Sequence, residues 1–288
     1  MSPARLVIDP HTHSTASDGT DSPSELVAAA RDAGIDILGI TDHDTVAGWG
    51  EAVAAARRLG IGLIRGIEIS TTFGGASIHV LGYLTDPDDA GLMGELAKAR
   101  HSRATRLERM VELMAADGIP ITYDEVLRQV APGATPGRPH IADALIANGT
   151  IGHRDDAFRE WLTDESPYYV AHYSPDPVRA CELVRGAGGV PVLAHPFTRT
   201  RGSTVTETLI EQMYAAGLVG LEVFHRDHGP WEVERALRIA DRLGLLVTGA
   251  SDYHGAGKRN RLAEYTTAPE VLEAIEARAS GVTPVVRP

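Results

Sequence analysis

Leu6-Val7-Ile8-Asp9-Pro10-His11-Thr12-His13 sets the pattern of the chain: a short apolar run that ends abruptly in ionisable side chains. The same transition recurs. Apolar runs at Ile35 to Ile40, Gly62 to Ile69, Ser77 to Leu84, Val190 to Ala194, Val219 to Phe224 and Leu245 to Ala250 join Leu6 to Ile8 as seven predicted strands. Stretches of helical period fall between most of them, the pattern of repeated strand and helix units. Between the first two strands, Ser22, Pro23 and Glu25 form a capping box with proline in the first turn. Gly34 and Gly60 supply stops for the helices after the first and second strands. A β/α barrel is the expected fold.

From Leu84 to Val190 the alternation fails, and about a hundred residues pass with helical patterns and no convincing buried strand. A long helix is predicted from Asp88 to Asp117, a second from Asp124 to Val130 behind the capping box Thr122 to Glu125, and shorter ones around His140 to Asn148 and Asp155 to Leu162. The Pro- and Gly-rich segment Ala131 to Pro139 reads as a loop reaching over the barrel mouth. The expected organisation is a barrel formed by residues 1–98 and 168–288, with an inserted helical lid domain at 99–167.

Composition narrows the classes of function. With 288 residues and 43% hydrophobic content, the chain can bury a large core, which excludes a disordered or fibrous protein. A formal charge of -12 argues against broad, unspecific binding to a nucleic-acid backbone. The start, Met1 to Pro10, lacks the charge and apolar pattern of a signal peptide, and no run is long enough to span a bilayer, so a cytoplasmic protein is expected. Cys181 is the only cysteine and falls in a helical stretch, where burial is its expected role.

The chemistry gathers just after the predicted strands, where a β/α barrel places its active site. His11 and His13, two apart in an extended segment, face the same side and can meet one metal. The second strand ends in Thr41, Asp42, His43 and Asp44, the third in Glu68, the fifth in His195 and the last in Asp252, Tyr253 and His254, while His79 lies within the fourth. So many ionisable groups at one end of a barrel need a reason, and metal ions are the simplest. Some have a plainer reading. His79 also fits a hydrogen-bonded core histidine, and Asp18, before Gly19, also fits a turn. Asp44 reads either as the cap of the following helix or as a catalytic carboxylate, and Asp42 as the group that orients its ligand neighbour.

The ordered set His11, His13, Asp18, Thr41 to Asp44, Glu68, His79, His195, Asp252 and His254 resembles the PHP family, named for polymerase and histidinol phosphatase domains. The resemblance covers both outer parts of the chain, and the insertion fits the family's nucleotide phosphatase branch. It implies a distorted, TIM-like barrel of seven strands and up to three divalent ions. One ion would be held by His11, His13, Glu68 and Asp252, a second by Glu68, His79 and His195, and a third by Asp18, His43 and His254. Asp18 stands where some members carry histidine. Manganese is the expected metal, with iron or zinc as alternatives, because mixed nitrogen and oxygen ligands accept all three. Three divalent ions would outweigh the carboxylates of Asp18, Glu68 and Asp252, leaving an excess that suits a phosphate. A hydroxide held between two ions would attack phosphorus in line.

The run Gly137, Arg138, Pro139, His140 resembles the substrate-contacting loop of the nucleotide phosphatase branch, which makes Arg138 and His140 candidate phosphate contacts; a solvated arginine and a helix-start histidine are the plain alternative. Of His225 and His228, the resemblance favours His228 for touching substrate or protonating the leaving oxygen. Lys258 is a further phosphate candidate. The expected activity is hydrolysis of phosphate monoesters of small nucleotides, AMP or a nucleoside 3',5'-bisphosphate. The alternatives are trimming of short RNA from the 5' end and histidinol phosphate hydrolysis. An amidohydrolase that needs a modified strand-end lysine fits less well, because the only lysines, Lys98 and Lys258, lie off the predicted strands. No obligate protein partner is expected.

Overall fold

The computed structural model describes residues 6–163, 165–198 and 205–288; the first five residues and residues 199–204 of the predicted barrel segment, and residue 164 of the predicted insertion, lie outside them. Seven strands, β1 (Ile8–Asp9), β2 (Ile37–Ile40), β3 (Gly62–Phe73), β4 (Ala76–Tyr83), β5 (Val190–Leu193), β6 (Gly220–Phe224) and β7 (Leu246–Gly249), form one sheet in chain order. The β1-β2-β3 and β5-β6-β7 pairs are parallel. β4 departs from the predicted strand and helix alternation: it runs antiparallel to both β3 and β5. The cause is local, because Gly74 and Gly75, both at positive φ, return the chain in two residues and leave no room for a crossover helix.

The sheet curls until its edges meet just beyond the ends of β1 and β7. There the His13 N–H donates to the Tyr253 carbonyl at 2.8 Å and the Asp252 N–H to the His11 carbonyl at 3.0 Å. Asp9 strengthens the seam, accepting hydrogen bonds from the Ser251 and Ala263 N–H groups at 3.0 and 2.9 Å. Burial nevertheless pushes the Asp9 carboxyl up to about 6. The seam therefore joins the two chain segments that carry His11, His13, Asp252 and His254.

Helices cover the outside. The first, α1 (Pro23–Asp32), starts at the expected capping box: the Glu25 N–H donates to Ser22 Oγ, and the Ser22 N–H to the Glu25 carboxylate. The next, α2 (Trp49–Leu59), stops at Gly60, which adopts a left-handed φ of 67°. Together they lay Leu26, Val27, Ala52 and Ala56 on Leu38, Ile40 and Leu63 of the sheet. Each large aliphatic side chain buried this way contributes roughly 1.5–3 kcal/mol. Between β4 and β5 lie α3 (Ala90–Ala116), α4 (Tyr123–Leu127), α5 (Arg138–Ala147), α6 (Arg154–Glu160) and α7 (Pro177–Gly186). The second half of α3 and the short helices after it share a separate apolar cluster that includes Leu107, Met114, Val126, Ile141, Leu145 and Leu162. α3 itself runs unbroken through residues 98 and 99. Among the described residues, no helix is long and apolar enough to cross a membrane.

Gly39 shows how tightly the first two strands approach. A Cβ there would lie 2.0 Å from the Pro10 carbonyl oxygen and 2.3 Å from its carbon, and backbone cannot step aside as a side chain can. Gly39→Ala is expected to destabilise the protein by about 2 kcal/mol or more, read from the urea unfolding midpoint. A change within about 0.5 kcal/mol would show that the strands have slack.

Candidate active site

His11 and His13, fully buried, leave β1 in extended backbone and turn both rings inward. Their Nε2 atoms lie 3.1 Å apart. Glu68 Oε2, from β3, lies 3.3 Å from His11 Nε2 and 3.0 Å from His13 Nε2, and Asp252 Oδ1 lies 3.4 and 3.3 Å from the same two atoms. Five of the six separations among these four atoms are thus 3.0–3.4 Å, a spacing compatible with a divalent transition ion bound about 2 Å from each. Acceptors do not crowd in this way without a cation among them.

Two further clusters adjoin. Glu68 Oε1 lies 2.6 Å from His79 Nδ1 and 3.0 Å from His195 Nε2, and Glu68 Oε2 lies 3.3 Å from His43 Nδ1. Asp18 Oδ1 lies 3.3 Å from His254 Nε2, 3.8 Å from His13 Nδ1 and 3.9 Å from His43 Nε2. All nine residues of the expected ligand set thus converge, His195 through Glu68, with His13, His43 and Glu68 shared between neighbouring clusters. Among the described residues, the buried atoms His43 Nδ1, Asp252 Oδ1 and His254 Nε2 have no hydrogen-bond partner, as expected of donors meant for ions. His79 and Asp18 both face this cluster, His79 through Nδ1 against Glu68 and Asp18 through Oδ1 against His254.

The electrostatics reflect this crowding. Burial opposes charge on Glu68, yet His79, His43 and His11 hold its carboxyl well below the usual range. Burial likewise opposes the proton on His13, but hydrogen bonds to Asp252 and Glu68 lift it to about 9. Burial, with His13 and Lys258 nearby, drops His254 to about 4. Asp42 is fully satisfied, accepting from the Ser14 N–H (2.8 Å) and from the hydroxyls of Ser14 and Ser17 (both 2.7 Å). It therefore shapes the loop that carries Asp18 rather than orienting its own neighbour His43.

At the cluster opens a cavity of about 770 Å³, whose lining includes Asp18, His43, His79, His195, Asp252 and His254 together with Arg103, Arg106, Arg138, Phe158, Tyr169 and His172. Arg138 reaches it from the start of α5, its guanidinium 5.9 Å from the ring centres of both Phe158 and Tyr169 and one amine donating to the Leu162 carbonyl. Lys258 also lines it, with Nζ 2.9 Å from Asp252 Oδ2.

Three expectations need correction. His140 is buried and accepts the Gly137 N–H through Nδ1, so it caps its own helix and does not line the cavity. His228 donates from Nδ1 to the Val223 carbonyl at 2.8 Å and accepts the Phe197 N–H at Nε2 at 3.1 Å, which leaves neither nitrogen for a substrate. Asp44 neither caps α2, whose N-cap is Gly48, nor faces the cavity. Its carboxylate accepts the Ser70 N–H and pairs with Arg103 Nε at 3.1 Å, holding that arginine against the barrel.

Other ionisable residues lie at the cavity. His225 lines the cavity, and its buried Nε2 lies 3.5 Å from Asp252 Oδ2 without a hydrogen bond. Arg103 and Arg106 come from the middle of the long helix, where nothing in the sequence separates them from the chain's many surface arginines. Glu222, a carboxylate inside the apolar run of β6, is fully buried beneath His11 and His195, and a charge amid buried strand residues was a readable signal.

A seven-stranded barrel with this donor cluster at an arginine-lined cavity defines a metal-dependent phosphoesterase. The PHP domain model matches residues 9–123. The chain is 35% identical to a 3',5'-nucleoside bisphosphate phosphatase of Chromobacterium violaceum, covering 88% of this chain and 89% of that protein. It is 34% identical to a 5'-3' exoribonuclease of Haemophilus influenzae over 85% of this chain and 89% of that one. A Bifidobacterium adolescentis structure assigned to the metal-dependent phosphoesterases superposes with a TM-score of 0.92 at 42% identity, covering 96% and 97% of the two chains. The chain belongs to the PHP family.

The arginines lining the cavity have their own neutral acceptor. His172 Nδ1 takes a hydrogen bond from Arg106 Nη1 at 3.1 Å. Burial, then Arg106, Arg103 and Arg138, press its pKa down to about 3. Its unfolded counterpart takes a proton near 6.5, so the stability that neutral His172 contributes is present above that pH and is lost as pH falls toward 3. Ring resonances of His172 are expected to stay in the neutral form from pH 8 to about 5 in NMR titrations, whereas a midpoint near 6.5 would mean that the arginines do not enclose it.

Proposed function

We propose that this protein removes a phosphate monoester from a small nucleotide bearing a second phosphate, a nucleoside 3',5'-bisphosphate, with AMP as the simpler candidate. The observation that carries this reading is the mixed lining of the cavity: a cluster of metal-type donors and the three arginines Arg103, Arg106 and Arg138 border the same space. One phosphate would sit over the donors and the second against the arginines, with Phe158 and Tyr169 beside the nucleoside. The name of the Chromobacterium violaceum relative supports the same substrate class. Histidinol phosphate would bring an ammonium group to these guanidinium groups, a like-charge contact that disfavours it.

In this reading His11, His13, Glu68 and Asp252 hold one divalent ion, Glu68, His79 and His195 a second, and Asp18, His43 and His254 a third. Manganese is the first choice, with iron or zinc as alternatives. Bound there, the ions would activate water for attack on phosphorus and neutralise the phosphoryl oxygens. The chain's own residues do the rest. Asp44 keeps Arg103 turned into the cavity, Lys258 adds positive charge beside Asp252, and His225 offers Nε2 as a proton carrier near the leaving oxygen. The helical segment 99–167 serves as the lid that carries Arg103, Arg106 and Arg138. Nucleotide substrates favour work in the cytoplasm.

The test is a phosphate-release screen with added manganese that compares AMP, adenosine 3',5'-bisphosphate, histidinol phosphate and a short 5'-phosphorylated RNA. The bisphosphate should give the highest kcat/KM; a lead for histidinol phosphate would overturn the nucleotide assignment, and a lead for RNA would favour the exonuclease reading suggested by the Haemophilus influenzae relative. His13→Ala, Glu68→Ala and Asp252→Ala should each abolish turnover in folded protein, and near-normal activity in any of them would remove that residue from the ligand set. Arg138→Ala should raise KM for the bisphosphate about tenfold or more while changing kcat little, as loss of a charge-assisted phosphate contact does. An unchanged KM would take Arg138 out of the binding site.

A further inference from the structure

Glu222 occupies the middle of β6, flanked in sequence by Leu221 and Val223, and has no solvent exposure. The strand register shifts between Glu222 and Phe224, a bulge of the kind that re-aims a side chain next to an active site. Both carboxylate oxygens are engaged, by residues that follow two other strands, β1 and β5. Oε1 lies 2.9 Å from His11 Nδ1, and Oε2 accepts the backbone N–H of His195 at 2.9 Å.

We infer that Glu222 is a positioning residue of the metal centre, a single carboxylate that fixes the tautomer of His11 and seats the backbone of His195, and so ties two ion sites together. The inference rests on the metal-centre reading given above. A carboxylate only accepts hydrogen bonds, so His11 must carry its proton on Nδ1. The lone pair of His11 Nε2 then points at His13 Nε2, Glu68 Oε2 and Asp252 Oδ1, all within 3.4 Å. His195 is held differently. Its φ of 26° lies in the left-handed region, which residues with a Cβ enter only when their surroundings hold them there. The hydrogen bond to Glu222 Oε2 is part of that hold, and it aims His195 Nε2 at Glu68 Oε1, 3.0 Å away. The rings of His11 and His195 stack with centres 5.8 Å apart directly beside Glu222, so a shift of its carboxylate reaches both.

A merely structural carboxylate would stabilise the fold without setting which ring nitrogen meets the ions. Glu222→Gln separates the two roles, because the amide keeps the size of the side chain but has one acceptor oxygen. Whichever way it turns, its NH2 faces one of the two N–H donors. Manganese titrations by calorimetry, with bound ions counted by atomic emission, should show uptake weakened about 10- to 100-fold in Glu222→Gln, the usual consequence of losing a carboxylate behind a ligating histidine. The loss should extend over more than one ion. Wild-type affinity and stoichiometry in a variant whose circular dichroism matches wild type would overturn the inference. A second measurement needs no variant: in the zinc-loaded wild-type protein with 15N-labelled histidine, His11 should carry its proton on Nδ1 and bind through Nε2, and the opposite tautomer would overturn the inference even if Glu222→Gln failed to fold. Wild-type protein that takes up neither manganese nor zinc would instead overturn the metal-centre reading itself, and the inference with it.

Discussion

Glu68 is the side chain around which the site is arranged. Its two oxygens meet His11, His13, His43, His79 and His195 at 2.6–3.3 Å in a position almost closed to water. A charge so buried persists only among polar partners or cations, and five imidazoles from four chain segments surround it here. Each of those segments must therefore end at the right height on the barrel. The length of β3 contributes: it continues past Glu68 to Phe73, and its antiparallel pairing with β4 sets His79 opposite Ser70, two residues beyond Glu68. The absence of a crossover helix between β3 and β4 is thus what lets Glu68 and His79 share one ladder.

The seam between β1 and β7 answers the same demand. Asp9 accepts from Ser251 and Ala263, the backbone bonds from His13 and Asp252 close the gap, and the donors of the first cluster follow within a few residues on either side. Gly39 admits Pro10 by having no Cβ, so the approach of the strands and the spacing of His11 and His13 depend on one another. Stability and ligand geometry are drawn from the same few residues.

Much of this was legible in the sequence because ionisable residues stand out after apolar strand runs. All seven strands appear near their predicted places, and the expected ligand residues converge, since each announced itself by position and type. What was hidden depended on directions that periodicity does not encode. The β3-β4 hairpin turns on Gly74 and Gly75, yet the pair of strands read like any other two units. His225 and His228 lie three apart and look equivalent, but the backbone after β6 folds so that His228 meets Val223 and Phe197 while His225 faces the cavity. Asp44, at a φ of 55°, turns toward Ser70 and Arg103, and no local pattern predicts that turn. Arg103 and Arg106 belong to a helix with arginines on several faces, and only tertiary packing selects these two.

The continuity of α3 carries a mechanical consequence. At 27 residues it is a rod of about 40 Å, and Arg100 and Arg103 near its middle fasten it to the Asp44 carbonyl and carboxylate. Its stiffness denies the chain a hinge at residues 98 and 99. The short helices α4 to α6 pack on the second half of this rod through the apolar cluster of Leu107, Met114, Val126, Ile141 and Leu145, so the rod also fixes where Arg138 stands relative to the barrel.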